Sequence, residues 1–434
     1  MAGTSSPSMT SSERLALLYQ LSQTFNSSLD LEEVLNRVMD EVVAVTGAER
    51  GFVMLVESDS QAERRLAFKV ARGMDQKTIE EPQFQLSRST VERVAKEGKP
   101  ILTSDAQSDE RLNLRQSVVL LGIRSVLCVP LKLKERVLGV IYVDNRLQAG
   151  IFTHADLELL TAIAASAAIA IENARLYQVA VDKGRIEREL QMAHRVQANL
   201  LPSETPSLPG WQFAALWQPA REVGGDYYDF IRLENGKTGL VIADVTDKGM
   251  PAALFMAFAR STVRASLDRS PSPSEGITRA NHLICEDSIE TLFVSLFYGC
   301  LDPVSGEFTY VNAGHNPPIY ISKSSGKAEA EMQYLLSTGY QLGMESEAVY
   351  TQGTLSFQPG DFVVLYTDGV TDTLNVQGET FELERLSQVV IRSADRDASG
   401  IIAAVAEAID EFSGDLPPVD DLTLMVIKRE HPNR

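Results

Sequence analysis

The sequence predicts an α+β chain of two folded units joined by one long helix. Strand-like and helix-like runs are mixed without the strict strand-helix alternation of a doubly wound parallel sheet. From His154 to Leu201 there is no proline and one glycine, Gly184, so a single helix is expected to cross the middle of the chain. The 434 residues also exceed one ordinary domain, at roughly 150 residues each. The expected segments are a disordered tail over 1–11, a first unit over 12–175, a helical linker over 176–205 and a second unit over 206–434.

The tail is rich in Ser and Thr, with neither the cationic start nor the apolar centre of a signal peptide. Apolar residues then recur at helical spacing (Leu15, Leu18, Leu21; Leu31, Val34, Leu35, Val38, Val42), broken by the turn at Asn26-Ser27-Ser28. Strands follow at Gly51 to Val56 and Leu66 to Val70, then a helix near Val91 to Lys96. Ser125 to Leu131 and Val137 to Val143 flank a charged turn at Glu135-Arg136 and read as an antiparallel hairpin inside a sheet.

In the linker, Leu176, Val179, Ile186, Leu190, Ala193 and Leu200 keep an alternating three-four seam, with Lys183 and Gln197 as polar interruptions. Such a seam suits the same helix of a second chain, giving a homodimer, or packing against its own domains. Pro202 and the following P-S-E-T-P-S-L-P-G end the helix. Beyond Trp211, strands are expected at Phe213 to Trp217, Tyr228 to Leu233, Thr238 to Ala243, Phe293 to Leu301, Glu307 to Asn312, Thr354 to Phe357, Asp361 to Tyr366 and Leu422 to Ile427. Helices interleave at Pro251 to Ser266 and Gly400 to Phe412.

Composition narrows the function. With 59 Asp+Glu against 40 Lys+Arg the formal charge is -19, which argues against tracking a nucleic-acid backbone. The longest apolar stretch, Leu159 to Ile171, is shorter than the roughly 20 residues of a membrane span. Cys128, Cys285 and Cys300 have neither metal-ligand nor redox spacing and suit a reducing cytoplasm. All three are expected to be small buried packing groups.

The second unit carries four acidic motifs at strand ends. They are Gly224-Gly225-Asp226, Ala243-Asp244-Val245, Tyr366-Thr367-Asp368-Gly369 and Val419-Asp420-Asp421-Leu422. One such Asp is usually a turn or cap residue, but four beside apolar strands point to a shared site. Hard oxygen ligands without Cys or His partners select Mg²⁺ or Mn²⁺.

Residues 12–175 resemble a GAF domain: paired helices, A-E-R-G-F-V-M-L, the V-P-L and G-V-I-Y-V-D hairpin, and F-T-H-A-D-L-E-L-L-T-A-I-A opening the closing helix. Asn145, Arg146, Phe152 and Asp156 partly match the signature of cyclic-nucleotide-binding GAF domains, with Arg146 in place of lysine and Leu157 in place of glutamate. The structural alternative is that Phe152 packs in the core and Asp156 caps a helix.

Residues 185–428 resemble the metal-dependent protein phosphatases (PPM) in their SpoIIE branch. Seven motifs occur in order: L-Q-M-A-H-R-V-Q-A-N-L-L-P, P-A-R-E-V-G-G-D-Y-Y-D, I-A-D-V-T-D-K-G-M-P-A-A-L, T-L-F-V-S-L-F-Y-G-C-L-D, N-A-G-H-N-P-P, L-Y-T-D-G-V-T-D and D-D-L-T-L-M-V. The resemblance implies an α-β-β-α sandwich holding two divalent ions, Mn²⁺ or Mg²⁺. Asp244 would bridge them, with the Val245 carbonyl on the first; Asp368 and Asp420 would bind the second, and Asp226 would hold metal-bound waters. Asp421 would orient Asp420. Arg221 has the spacing of the family's phosphate-binding arginine, or is a surface loop residue.

Two positions depart from the pattern. Asp247 stands where the family more often has glycine, which alters the turn after Asp244, and Thr246 replaces the proton-donating His of eukaryotic relatives. His315 is read as a structural loop residue with Asn312 and Pro317. The resemblance further implies a phosphorylated anti-sigma-factor antagonist as substrate and a GAF ligand or activating partner as regulator. A diguanylate cyclase, suggested by Gly224-Gly225-Asp226, and a non-catalytic GAF scaffold are the competing readings.

Overall fold

The computed structural model describes residues 10–58, 64–73, 88–103, 123–233, 236–268, 270–287, 292–323 and 331–431. The expected tail therefore lies almost wholly outside the described residues. The chain forms two compact units, Met1–Arg185 and Ile186–Arg434.

In the first unit, helices α1 (Ser11–Phe25) and α2 (Leu31–Thr46) precede strands β1 (Arg50–Ser58) and β2 (Arg64–Gly73). Helix α3 (Arg88–Glu97) and strands β3 (Ile101–Thr103), β4 (Ser125–Leu133) and β5 (Arg136–Asn145) follow. The antiparallel sheet has the order β2-β1-β5-β4-β3, with the expected hairpin forming β4 and β5 and β5 at its centre. Side chains of α1, α2 and the long helix α4 (His154–Leu200) cover one face, and α3 covers part of the other. Covering both faces explains why β4 reads as an unbroken apolar run rather than an alternating one.

The GAF-like signature residues are structural here. Phe152 lies in the core, and Asp156 accepts hydrogen bonds from the backbone and hydroxyl of Thr153 at the start of α4. Asn145 Oδ1 accepts the amides of Leu147 and Gln148, and Arg146 pairs with Glu49. Burial drives the Cys128 thiol far above its ordinary pKa, as expected of a packing group.

The second unit stacks two five-stranded antiparallel sheets. One has the order β13-β10-β9-β8-β7, from β7 (Tyr227–Arg232), β8 (Thr238–Val245), β9 (Val294–Leu301), β10 (Glu307–Ala313) and β13 (Gly353–Ser356). The other has the order β12-β11-β14-β15-β6, from β6 (Trp211–Gln218), β11 (Ile319–Ser322), β12 (Glu331–Tyr334), β14 (Phe362–Tyr366) and β15 (Leu422–Arg429). An aromatic core that includes Trp211, Phe213, Phe297, Phe308 and Phe357 fills the space between them.

Helices α5 (Met250–Asp268) and α6 (Pro273–Asp287) pack on the outside of the first sheet. A four-residue turn of helix, α7 (Asp368–Thr371), precedes α8 (Glu382–Arg392) and α9 (Ala398–Ser413), which cover the second sheet. The layering is the α-β-β-α sandwich implied by the resemblance. Sequence reading missed β3, β11, β12 and α7, each of three or four residues and too short to set a period, and also α8, whose Leu383, Leu386 and Val390 do keep helical spacing.

Within α4 the expected seam divides. Leu176, Val179 and Ile186 are exposed, but Leu190, Ala193 and Leu200 are half-buried and Gln197 is only 4% exposed. Gln197 is thus no interruption in an outward seam: it faces its own unit. The first half of α4 includes a window with mean hydropathy 1.4, apolar and long enough to cross a membrane by composition. Its Leu160, Ile163, Ala164, Ala167 and Ile171 instead line the core of the first unit.

At Gly139 an added Cβ would stand 2.1 Å from the Met54 carbonyl oxygen in the neighbouring strand. Gly139→Ala should therefore cost roughly 1–3 kcal/mol through forced strand separation. Urea unfolding of the full chain should show an earlier transition for the first unit, and an unchanged curve would contradict the packing described.

Candidate metal centre

The four expected acids lie at one end of the sandwich because of where the strands begin and end. Asp226 precedes β7, and the β7-β8 register pairs Tyr227 with Ala243, bringing Asp226 opposite Asp244. In the other sheet Asp368 follows β14 and Asp420 precedes β15, strands paired through Tyr366 and Leu424.

Asp226 is 1% exposed, and its Oδ2 accepts the hydroxyls of Thr367 at 2.7 Å and Thr423 at 2.6 Å. Burial first, then the charge of Asp244, raise its pKa well above the usual carboxylate range. Burial also raises Asp244, helped by Asp368 and Asp420 and opposed by a hydrogen bond with Asp226, to about 8. Asp368 is raised by burial and by Asp420, against the pull of Lys248.

Asp420 Oδ2 is 2.6 Å from the Lys248 ammonium, which also donates to the Val419 carbonyl at 2.8 Å. Among the described residues no three acidic, Cys or His groups converge into a closed ligand set. The donors nevertheless suit a hard cation. They are all oxygen, burial and neighbouring charge raise the pKa of Asp226, Asp244 and Asp368, and the Lys248 ammonium is the cation already beside Asp420.

Asp421 has a second task beside the expected one of orienting Asp420. Its backbone N–H donates to Asp420 Oδ1 at 3.0 Å, but its carboxylate organises the loop before β7. Oδ1 accepts the Ala220 amide at 2.8 Å, and Oδ2 accepts the Gly225 amide at 2.7 Å. The double glycine follows from this crowding. A Cβ on Gly224 would lie 2.1 Å from Asp421 Oδ2, and one on Gly225 would lie 2.8 Å from the Val245 carbonyl oxygen. The Gly-Gly-Asp run is therefore accounted for by packing around the acids, not by a cyclase loop.

The Arg221 guanidinium is exposed and reaches within 4.0 Å of where a Cβ on Gly249 would stand, beside the turn after Asp244. Thr246 is committed to the backbone: its hydroxyl donates to the Phe293 carbonyl at 3.1 Å and accepts the Phe293 amide at 3.0 Å. His315 is buried, with Nδ1 2.8 Å from Ser295 Oγ and its amide donated to Asn312 Oδ1. Burial lowers its pKa to about 4, so the ring is neutral near pH 7 and serves the loop. Sequence reading missed Thr367, Thr423 and Lys248, although each adjoins an acid motif.

Two family models match the chain: "Stage II sporulation protein E (SpoIIE)" over residues 234–430 and "GAF domain" over residues 28–172. The chain carries a GAF domain followed by a SpoIIE-type phosphatase domain. It is 31% identical over 268 residues to Protein IcfG of Synechocystis, covering 56% of this chain and 41% of IcfG. It is 28% identical over 247 residues to the phosphoserine phosphatase RsbU of Bacillus subtilis, covering 56% of this chain and 71% of RsbU. The SiaA-PP2C domain of Pseudomonas aeruginosa shares its fold, with a TM-score of 0.51 at 20% identity over 57% of this chain and 99% of that one. The SpoIIE match includes Asp244, Asp368 and Asp420 and begins after Arg221 and Asp226.

Two outcomes follow for this site. Because Asp226 and Asp244 hold protons in the fold that the unfolded chain releases, their contribution to stability is full below about pH 4 and is lost as pH rises toward 8. A cation replacing those protons should stabilise more at higher pH. Melting with and without MnCl₂ should thus give an increment that grows from pH 5.5 to 8; an increment that shrinks would contradict the assignment. Asp247 has φ +75°, in the left-handed region. Asp247→Gly should stabilise the turn by roughly 1 kcal/mol, read as a higher urea midpoint.

Proposed function

We propose that the chain is a Mn²⁺- or Mg²⁺-dependent serine/threonine phosphoprotein phosphatase whose activity is regulated through its GAF domain. The observation that carries this reading is the convergence of Asp226, Asp244, Asp368 and Asp420 from two sheets onto one end of the SpoIIE-type domain. In this reading Asp244, Asp368, Asp420 and the Val245 carbonyl hold two ions, and Asp226 supports their water ligands. The ions supply an activated water at neutral pH and neutralise charge on the phosphoryl oxygens.

The chain's own groups position and exclude. Thr367 and Thr423 keep Asp226 in place, and Asp421 fixes the loop that bears it. Arg221, on the same side as the Gly249 turn, binds the substrate phosphate through its guanidinium. The Thr246 hydroxyl is committed to the Phe293 backbone and the His315 ring is buried and neutral near pH 7, so neither protonates the leaving oxygen.

RsbU is named a phosphoserine phosphatase, and this chain resembles it over much of its length. On that likeness the substrate is a phosphorylated anti-sigma-factor antagonist in a cytoplasmic partner-switching pathway. The exposed Leu176, Val179 and Ile186 on α4 support a homodimer formed through that helix. A GAF ligand or activating protein then acts on the phosphatase domain through α4.

Asp244→Asn and Asp368→Asn should each lower Mn²⁺-dependent release of phosphate from a phosphoserine protein by at least about 100-fold. Full activity in either variant would remove the metal assignment. Arg221→Ala should raise KM more than it lowers kcat.

A further inference from the structure

The L-Q-M-A-H-R-V-Q-A-N-L-L-P segment lies before the sandwich, at the end of α4, and the metal ligands do not account for it. Its Gln197 is 4% exposed and makes a paired contact with both backbone polar groups of one residue of the metal-site loop. Nε2 donates to the Gly224 carbonyl at 2.5 Å, and Oε1 accepts the Gly224 amide at 3.1 Å. Gly224 is two residues from Asp226.

The same helix turn holds the loop at other points. His194 Nδ1 lies 2.8 Å from the Glu222 carbonyl, and its ring stacks on Trp217 at 5.7 Å between centroids. The Trp217 indole in turn donates to the Asp226 carbonyl at 3.1 Å. Leu201, just past the helix, joins the apolar cluster that includes Tyr227 and Val245.

We infer that Gln197 is a positioning residue for the metal centre, and that the catalytic unit begins within α4 rather than at the first strand of the sandwich. This rests on the phosphatase reading above. The physical reason is that a loop lacking ladder partners must still satisfy its backbone groups. Asp421 serves the amides on the sheet side, and Gln197 serves both polar groups of Gly224 on the helix side. Between them they fix where the Asp226 backbone enters β7, and so where its carboxylate stands among the other acids. Gln197 touches neither phosphate nor ion; it acts through Gly224.

The test uses the full chain with Mn²⁺ alone as the probe. Gln197→Met keeps the length and packing but leaves the Gly224 N–H and C=O without these partners, and Gln197→Ala removes the side chain. Both should fold, melting lower than the unaltered chain in EDTA because the Gly224 groups lose these partners, and in the folded state should bind Mn²⁺ at least tenfold more weakly by calorimetry. Unaltered Mn²⁺ affinity in a folded Gln197→Met chain overturns the inference. An unaltered chain that binds no Mn²⁺ overturns it together with the metal reading, which separates the two failures. Hydrogen exchange adds a measurement that needs no variant. The Gly224 and Gly225 amides should be protected like those of β8, and rapid exchange at Gly224 overturns the inference as well.

Discussion

A carboxylate buried beside another carboxylate is costly, and the architecture around Asp226 is arranged to keep it there. Asp226 is 1% exposed and faces Asp244, so neither burial nor its neighbour favours its charge. Two threonine hydroxyls on the opposite sheet accept the task of solvating it. Those threonines are also tied together, since the Thr423 amide donates to Thr367 Oγ1 at 3.0 Å. The contact between the two sheets at this end is therefore polar, while the aromatic core behind it is apolar. The sandwich needs both parts: the core sets the spacing of the sheets, and the threonine pair turns that spacing into a fixed position for one oxygen.

Much of this was legible in the sequence because it depends on strand ends. Acids flanking long apolar runs could be placed at sheet termini without knowing the sheet order, and Asp226, Asp244, Asp368 and Asp420 come together as expected. The hairpin of β4 and β5 was equally plain, since both strands are covered on both faces and read as continuous apolar runs. What was not legible depends on contacts across the sheets. Nothing in the spacing of Asp420-Asp421 shows that the second carboxylate turns away from the first to hold the Ala220 and Gly225 amides. Thr367 and Thr423 were hidden for the same reason, lying 56 residues apart and meeting only through β14 and β15.

The long helix shows where periodicity misleads. Leu176, Val179, Ile186, Leu190, Ala193, Gln197 and Leu200 share one three-four pattern, and pattern alone assigns them one partner. The structure divides them. The earlier positions are exposed, whereas Gln197 is buried against its own unit and Leu190, Ala193 and Leu200 are half-buried. By spacing alone Gln197 is a polar interruption of an apolar seam. It is better understood as a position where the helix meets backbone rather than side chains, because a carboxamide can satisfy an amide and a carbonyl at once.

The acids also differ in what balances their charge. At Asp226 and Asp244 the charge is disfavoured by burial, with the Asp244 charge adding to it at Asp226 and the charges of Asp368 and Asp420 adding to it at Asp244, so a proton is the natural compensation there. At Asp420 it is the Lys248 ammonium, placed by the turn in which Asp247 adopts φ +75° and donates no glycine-like freedom of its own. A divalent ion approaching this end of the sandwich meets two different occupants. Displacing the proton grows easier as pH rises, while displacing the ammonium leaves Lys248 still tethered to the Val419 carbonyl nearby. The two ends of the acid cluster thus differ in what perturbs them: pH acts on Asp226 and Asp244, and ionic strength on the half-exposed Lys248-Asp420 pair, which is open to screening.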